Sequence, residues 1–257
     1  MPERHAQLGD RRLSRVGLGT NRLQDAPDHH AFLREAVEAG LDFIDTAHLY
    51  TSGQSEASIG AALAPFPDEL TVATKGGYRP GEGKPDVLRA QVEESLRRLR
   101  TERIALYYLH RVDPETPLEN SLGVLAELRE KGTIEHIGLS AVGVEEIERA
   151  RKVVPIAAVQ NEYHPGDRSS DPVIEYCERE GVVFVPYYPL ASVPPAAEEI
   201  AAEHGATPYQ VILAWHLGRS PVVAPIPGTL SAGHLRENLA ALELTLTDEE
   251  WARLEQA

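Results

Sequence analysis

Short runs rich in β-branched residues alternate along the chain with longer runs in which apolar residues recur every three or four positions. That alternation predicts βαβ units around a parallel sheet. The strand-like runs are Val16 to Gly19, Phe43 to Asp45, Thr71 to Thr74, Ile104 to His110, Ile134 to Ser140, Ala157 to Gln160, Val182 to Val185 and Val222 to Pro225. A helical run follows each in turn: His29 to Ala39, Ser55 to Leu63, Pro85 to Leu99, Leu118 to Lys131, Val144 to Lys152, Pro172 to Glu180, Pro208 to Gly218 and Ala232 to Ala241. Eight such units in succession predict an α/β protein built as a (β/α)8 TIM barrel.

Boundary residues support the pattern. Gly40, Gly132, Gly181 and Gly218 stand where a helix needs a left-handed terminating residue. Ser55 with Glu56, and Asp171 with Pro172, read as helix starts: an oxygen-bearing cap followed by an acid or a proline. Gln7 to Leu13, centred on Gly9-Asp10, reads as a β-hairpin that plugs the bottom of the barrel. Two further helices are expected, a short one at Ala196 to His204 and a C-terminal one at Thr247 to Leu254 capped by Thr247 and Asp248. No Pro/Ser-rich linker or internal repeat divides the chain, so residues 1–257 read as a single domain.

Composition narrows the partners. A net charge of -15 disfavours nucleic acid and anionic membranes, which call for a concentrated basic patch. The densest basic stretch, Arg97, Arg98, Arg100 and Arg103, closes a helix and complements its dipole. The one cysteine, Cys177, excludes an internal disulfide and lies in an apolar segment, as a buried structural thiol does. The polar start of the chain and the lack of an apolar run of about 20 residues predict a cytoplasmic protein.

In a parallel barrel the site forms at the carboxyl ends of the strands. Asp45 ends strand two, Lys75 follows strand three, His110 ends strand four, and Tyr50 lies in the loop after Asp45. Singly, these are a turn cap, a solvated charge, a core histidine and a rim residue. Adjacent parallel strands lie about 4.8 Å apart, so together the four converge on one point. A Lys beside a Tyr hydroxyl favours phenolate and makes the phenol a better acid for a developing alkoxide. His110 is placed to orient a carbonyl oxygen.

The segments Phe43-Ile-Asp-Thr-Ala-His-Leu-Tyr50, Ala73-Thr-Lys-Gly-Gly77 and Tyr107-Tyr-Leu-His110 resemble the three motifs that carry the Asp, Tyr, Lys and His tetrad of aldo-keto reductases. Further likenesses run nearly end to end: Ile137-Gly-Leu-Ser140, Val159-Gln-Asn-Glu-Tyr163, Pro186-Tyr-Tyr-Pro-Leu190, Ile226-Pro-Gly-Thr229 and Glu237-Asn238. The resemblance, strongest to short-loop bacterial members of the pyridoxal reductase kind, implies reduction of aldehydes or ketones by hydride transfer from NADPH, with NADH as the alternative. It makes Tyr50 the general acid, Lys75 and Asp45 the groups that tune it, and His110 the substrate-orienting residue.

The same likeness assigns the cofactor contacts. Ser140, Gln160 and Asn161 would grip the carboxamide, and Tyr187 would stack on the nicotinamide, with Tyr188 packed inward. Leu190 and Ser192 would meet the pyrophosphate, Gly228, Thr229 and the start of helix eight the adenosine phosphate, and Glu237 and Asn238 the adenine. Gly19, Thr20 and Asn21 would floor the reacting centre. Gly228 and His234 stand where relatives often carry the Lys and Arg that clamp a 2′-phosphate, so Arg236 or Thr229 is the expected substitute. Ala141 replaces a frequent Asn, and Thr51 replaces the usual Gly after the tyrosine.

The brief segment after Leu190 and the short run from the last helix to Ala257 predict an open site with weak selectivity, suited to aromatic or heteroaromatic aldehydes and small diketones. The family likeness also implies a monomer. Two glycine patterns are decoys: Gly17-Leu-Gly19 meets Arg22 where a dinucleotide fingerprint needs a third glycine, and Gly81-Glu-Gly83-Lys84 is followed by Pro85. His29-His30 lacks further ligands at metal spacing, so no metal is expected. His48 and His164 fall in loops near the pocket. Two competing readings remain: an aldolase with Lys75 as Schiff-base nucleophile, and a non-catalytic nicotinamide-binding module.

Overall fold

The computed structural model describes residues 3–255. Met1, Pro2, Gln256 and the Ala257 that closes the chain lie outside the described residues. A hairpin of β1 (His5–Leu8) and β2 (Arg11–Ser14), turning at Gly9-Asp10, precedes the barrel. Seven parallel strands follow in chain order: β3 (Leu18–Gly19), β4 (Phe43–Asp45), β5 (Thr71–Gly76), β6 (Ile104–Leu109), β7 (Ile134–Ser140), β8 (Ala158–Glu162) and β9 (Val183–Tyr187).

The helices are α1 (Pro27–Glu38), α2 (Gln54–Leu63), α3 (Pro85–Leu99), α4 (Leu118–Glu130), α5 (Val144–Arg151), α6 (Asp171–Glu180), α7 (Pro195–His204), α8 (Pro208–Arg219), α9 (Ala232–Ala240) and α10 (Asp248–Glu255). None is long and apolar enough to cross a membrane.

The eighth strand position differs from a regular ladder. Residues 222–228 close the barrel by hydrogen bonds on both sides: Ala224 N donates to Phe184 O at 2.8 Å and Ile226 N to Pro186 O at 3.3 Å, while Gly17 N and Gly19 N donate to Pro225 O and Pro227 O at 3.0 and 3.2 Å. Pro225 and Pro227 lack an N–H, so this segment accepts toward β3 and makes only isolated bridges. The barrel is closed all the same.

Alternation along the strands sorts the core into two shells. Inside the barrel lie Phe43, Ala73, Leu106, Tyr108, Ala158, Val183, Val185, Ala224 and Ile226, joined by Ala6, Leu8 and Leu13 of the hairpin, which plugs the bottom as expected. Outside, Ile44, Val72, Leu109, Ile137, Val159 and Phe184 pack against helix residues such as Leu88, Val92, Leu122, Ile174 and Trp215. Each such aliphatic side chain taken from water stabilises the fold by about 1.5–3 kcal/mol.

Several local expectations need correction. Gly40, Gly132 and Gly181 do adopt positive φ after their helices, but Gly218 lies inside α8, where its missing side chain makes room for the Trp251 indole. The left-handed terminator of that region is Gly205, after α7. Ser55 is not a cap: it sits within α2, its buried hydroxyl donating to Thr20 and facing Thr46. Asp171 is the first residue of α6, and its carboxylate is taken by the Tyr163 hydroxyl and Arg219. Thr247 caps α10 as expected, accepting from Glu250 N at 3.3 Å.

Candidate active site

Strand register brings the four candidate residues together. Asp45 ends β4 opposite Ala73 of β5, and Lys75, two residues further along β5, is part of that strand rather than beyond it. His110 is the first residue past β6, its backbone held by Gly76 O at 2.8 Å. Lys75 Nζ donates to Asp45 Oδ2 at 2.5 Å and to Thr46 O at 2.8 Å, with both side chains fully buried. An ammonium has three protons, so one is left for Tyr50; Nζ stands 5.0 Å from the centroid of that ring. The Tyr50 and His110 rings meet edge to face at 6.1 Å.

The electrostatics follow from burial and pairing. Burial opposes charge on Lys75, but the Asp45 carboxylate and Tyr50 outweigh it and hold the ammonium above its ordinary pKa. Burial also raises the Tyr50 phenol, and Lys75 pulls it back without reversing the shift, because Asp45 already neutralises the lysine. The pull toward phenolate expected from Lys75 is present, but burial outweighs it and holds the Tyr50 phenol above its ordinary pKa. Burial, reinforced by Lys75 and Arg111, lowers the His110 imidazole to about 3. Its Nδ1 is buried with no partner among the described residues. Nε2 is the nitrogen left to face the cleft.

Tyr50 opens a tight turn in which Thr51, Ser52 and Gly53 all take positive φ, at 47°, 57° and 88°. For a β-branched residue such as Thr51 this is strained, and surroundings must enforce it. Thr51 Oγ1 donates to Leu23 O at 2.6 Å. On the other side Arg98 lies flat against Gly53, where a Cβ would meet its guanidinium at 2.3 Å. Arg98 also donates to His48 O at 3.0 Å, to the buried Glu56 at 3.2 Å and to Glu94 at 2.7 Å. It is therefore no solvated helix-end charge, and His48 belongs to this support beneath the site.

Two adjoining clefts, of about 520 and 380 Å³, share Gly19, Thr20, Asn21, Arg22 and Gly228 and form one trough. The first is lined by Asp45, Tyr50, His110, Ser140, Gln160, Tyr187 and Leu190, and the second by Thr229 and His234. Ser140 is buried on the lining of the first cleft. Gln160 Nε2 donates to Asp45 Oδ1 at 2.8 Å.

Thr20 spends its hydroxyl on Asp45 O, and a Cβ on Gly19 would strike Ile226 O at 2.8 Å, so both also serve barrel closure. Asn161, Ser192, Arg236, Glu237 and Asn238 do not line the trough: Asn161 is bound to the Val142 backbone and Ser170, and Arg236 pairs with Glu35 at 2.7 Å.

Sequence reasoning missed Arg22, Leu49, Tyr78, Arg111, Glu162 and Tyr188, all on the wall of the first cleft. Tyr188 points outward, 58% exposed and at φ 51°, rather than packing inward. Arg111 carried a legible signal, since it directly follows His110. His164 lies 3.7 Å from Glu162, and His30 pairs with Asp25, with no group of metal-ligand type among the described residues.

Residues 15–257 match the model of the Aldo/keto reductase family. Pyridoxine 4-dehydrogenase of Escherichia coli strain K12 is 37% identical over 268 residues, which cover 94% of each chain. A thermostable aldo-keto reductase solved with the inhibitor epalrestat superposes with a TM-score of 0.91 at 34% identity over 98% of both chains. An aldo-keto reductase of Klebsiella pneumoniae in complex with NADPH gives 0.91 at 27% identity, covering all of this chain and 95% of its own. The likeness spans nearly the whole chain, and the chain belongs to the aldo/keto reductase family.

Proposed function

We propose that this protein reduces aldehydes to alcohols with NADPH, Tyr50 supplying the proton, and that aromatic and heteroaromatic aldehydes are its preferred class. The observation that carries the reading is the buried Asp45–Lys75 pair behind a protonated Tyr50, with the neutral His110 at its edge. Bound NADPH supplies the hydride.

The residues divide the remaining work. His110 Nε2–H donates to the carbonyl oxygen and holds it toward Tyr50. As charge develops on that oxygen, the Tyr50 hydroxyl gives up its proton, and the phenolate left behind is stabilised by the third proton of Lys75. Asp45 keeps the ammonium in place and charged. The Ser140 hydroxyl and the Gln160 amide on the lining suit a carboxamide, and the Tyr187 face suits a planar ring.

At the far end, Ser231 caps α9 by accepting from His234 N at 3.3 Å, and backbone N–H groups there with His234 and Arg22 suit phosphate. The trough therefore fits an extended dinucleotide. A wall containing Tyr78, Tyr187 and Tyr188 favours flat substrates, in keeping with a relative named for pyridoxine.

Tyr50→Phe should lose essentially all NADPH oxidation while binding NADPH as the parent does in a fluorescence titration. Full activity in that variant would overturn the reading. The aldolase alternative fits poorly, because a Schiff base needs a free amine and Lys75 is held as a doubly engaged ammonium.

A further inference from the structure

Arg111 is the exposed cation of the substrate end of the cleft, and no carboxylate of the described residues pairs with it. Its guanidinium lies 4.6 Å over the Tyr78 ring, and Tyr78 lies 4.9 Å from the ring of His110, so the charge is tied by aromatic contacts to the group that orients the carbonyl. Its backbone N donates to Gly77 O at 3.2 Å, which fixes the root of the side chain. Arg111 lines the same cleft as His110 and Tyr187. In a chain of net charge -15, Arg111, like Arg22 on the same lining, has no ion pair among the described residues.

From that geometry we infer that Arg111, positioned by Tyr78, selects carbonyl substrates bearing one negatively charged group, a carboxylate or its like, remote from the carbonyl. The inference rests on the reductase reading and names its substrate class. The guanidinium offers a planar fork of donors matched to carboxylate oxygens. The acidic surface does not prevent this, because exposed charges beyond about 8 Å are largely screened at physiological salt. Glu162, also on the cleft lining, would repel a second negative charge brought near it, which favours monoanions over dianions.

The test compares 4-carboxybenzaldehyde with methyl 4-formylbenzoate, which share a reacting group and ring and differ in charge. The parent should favour the carboxylate in kcat/KM by about tenfold, as one charge-assisted contact allows. Arg111→Gln should erase that preference, raising KM for the acid far more than for the ester, whatever change the two substrates share. Arg111→Lys should recover part of the preference, and Glu162→Gln should enlarge it.

An acid-to-ester ratio equal in parent and Arg111→Gln would overturn the inference. Calorimetric titration of 4-(hydroxymethyl)benzoate and its methyl ester separates the two proposals. Charge-selective binding lost in Arg111→Gln but without NADPH oxidation would uphold the role of Arg111 and sink the reductase reading. Binding indifferent to charge would sink the role of Arg111.

Discussion

His216 is fully buried between Trp215 and Tyr163, its Nε2 bonded to Pro189 O at 3.0 Å and its Nδ1 without a partner among the described residues. That bond anchors the segment after the strained Tyr188 on the cleft wall. Burial lowers its pKa from 6.5 to about 4, so the unfolded chain binds the proton more tightly than the native one. Stability from this residue is complete well above pH 6.5 and falls as pH drops toward 4, with a loss of about 2.5 kcal/mol by pH 4.5. His216→Gln keeps a donor for Pro189 and removes the titrating ring. Urea unfolding at pH 7 and 4.5 should therefore show a smaller acid loss in the variant, and an equal loss would contradict the assignment. His110, lowered to about 3, adds to the parent's acid sensitivity in the same direction.

At the scale of elements, the loop that carries Tyr50 is held by helices, not by its own sequence. Arg98 of α3 bridges Glu56 of α2 and the His48 carbonyl, and Glu56 in turn accepts from Thr74 of β5 at 2.6 Å, the neighbour of Lys75. Arg98→Ala would leave Glu56 buried without its cation, at a cost of about 3–5 kcal/mol, and would free the left-handed turn after Tyr50. Denaturant midpoint and kcat should both fall. Arg98→Lys should rescue stability better than kcat, because an ammonium cannot reach all the same acceptors at once.

None of this was readable from the run Arg97 to Arg103, where the helix-end pattern explains the charges equally well. Asp45, Tyr50, Lys75 and His110 were legible because strand ends fix where they emerge. Ser55 and Gly218 misled because a short polar residue and a glycine serve packing as readily as capping.

For the molecule as a whole, closure depends on a cation hidden at the bottom of the barrel. Arg15 is buried with no ion pair within bonding distance among the described residues, donating to Val223 O at 3.0 Å, to Leu217 O and Ser220 O at 2.6 Å and to Glu3 O at 3.2 Å, so it joins the chain before β3 to the end of α8 and the eighth strand position. Burial lowers its pKa to about 10, which still leaves it charged at neutral pH. Arg15→Met strips three buried carbonyls of their donor and should cost about 3–5 kcal/mol, lowering Tm by roughly 10 °C in a chain of this size. Thermal unfolding measures it, and a Tm unchanged within a degree or so would refute the closing role.

The order of strands and helices, the hairpin plug and the positions of the tetrad were determined by the sequence itself. They depend on periodicity, on glycine and proline punctuation and on the rule that residues at strand carboxyl ends share one face, all of which are local. Which side chains converge from distant segments was decided only by the tertiary structure. Arg22, Tyr78, Arg111 and Tyr188 come from separate loops and meet only when the barrel closes. Tertiary structure also decided the proton balance at Tyr50, since burial and the Asp45–Lys75 pairing are properties of the packed interior and of no single segment.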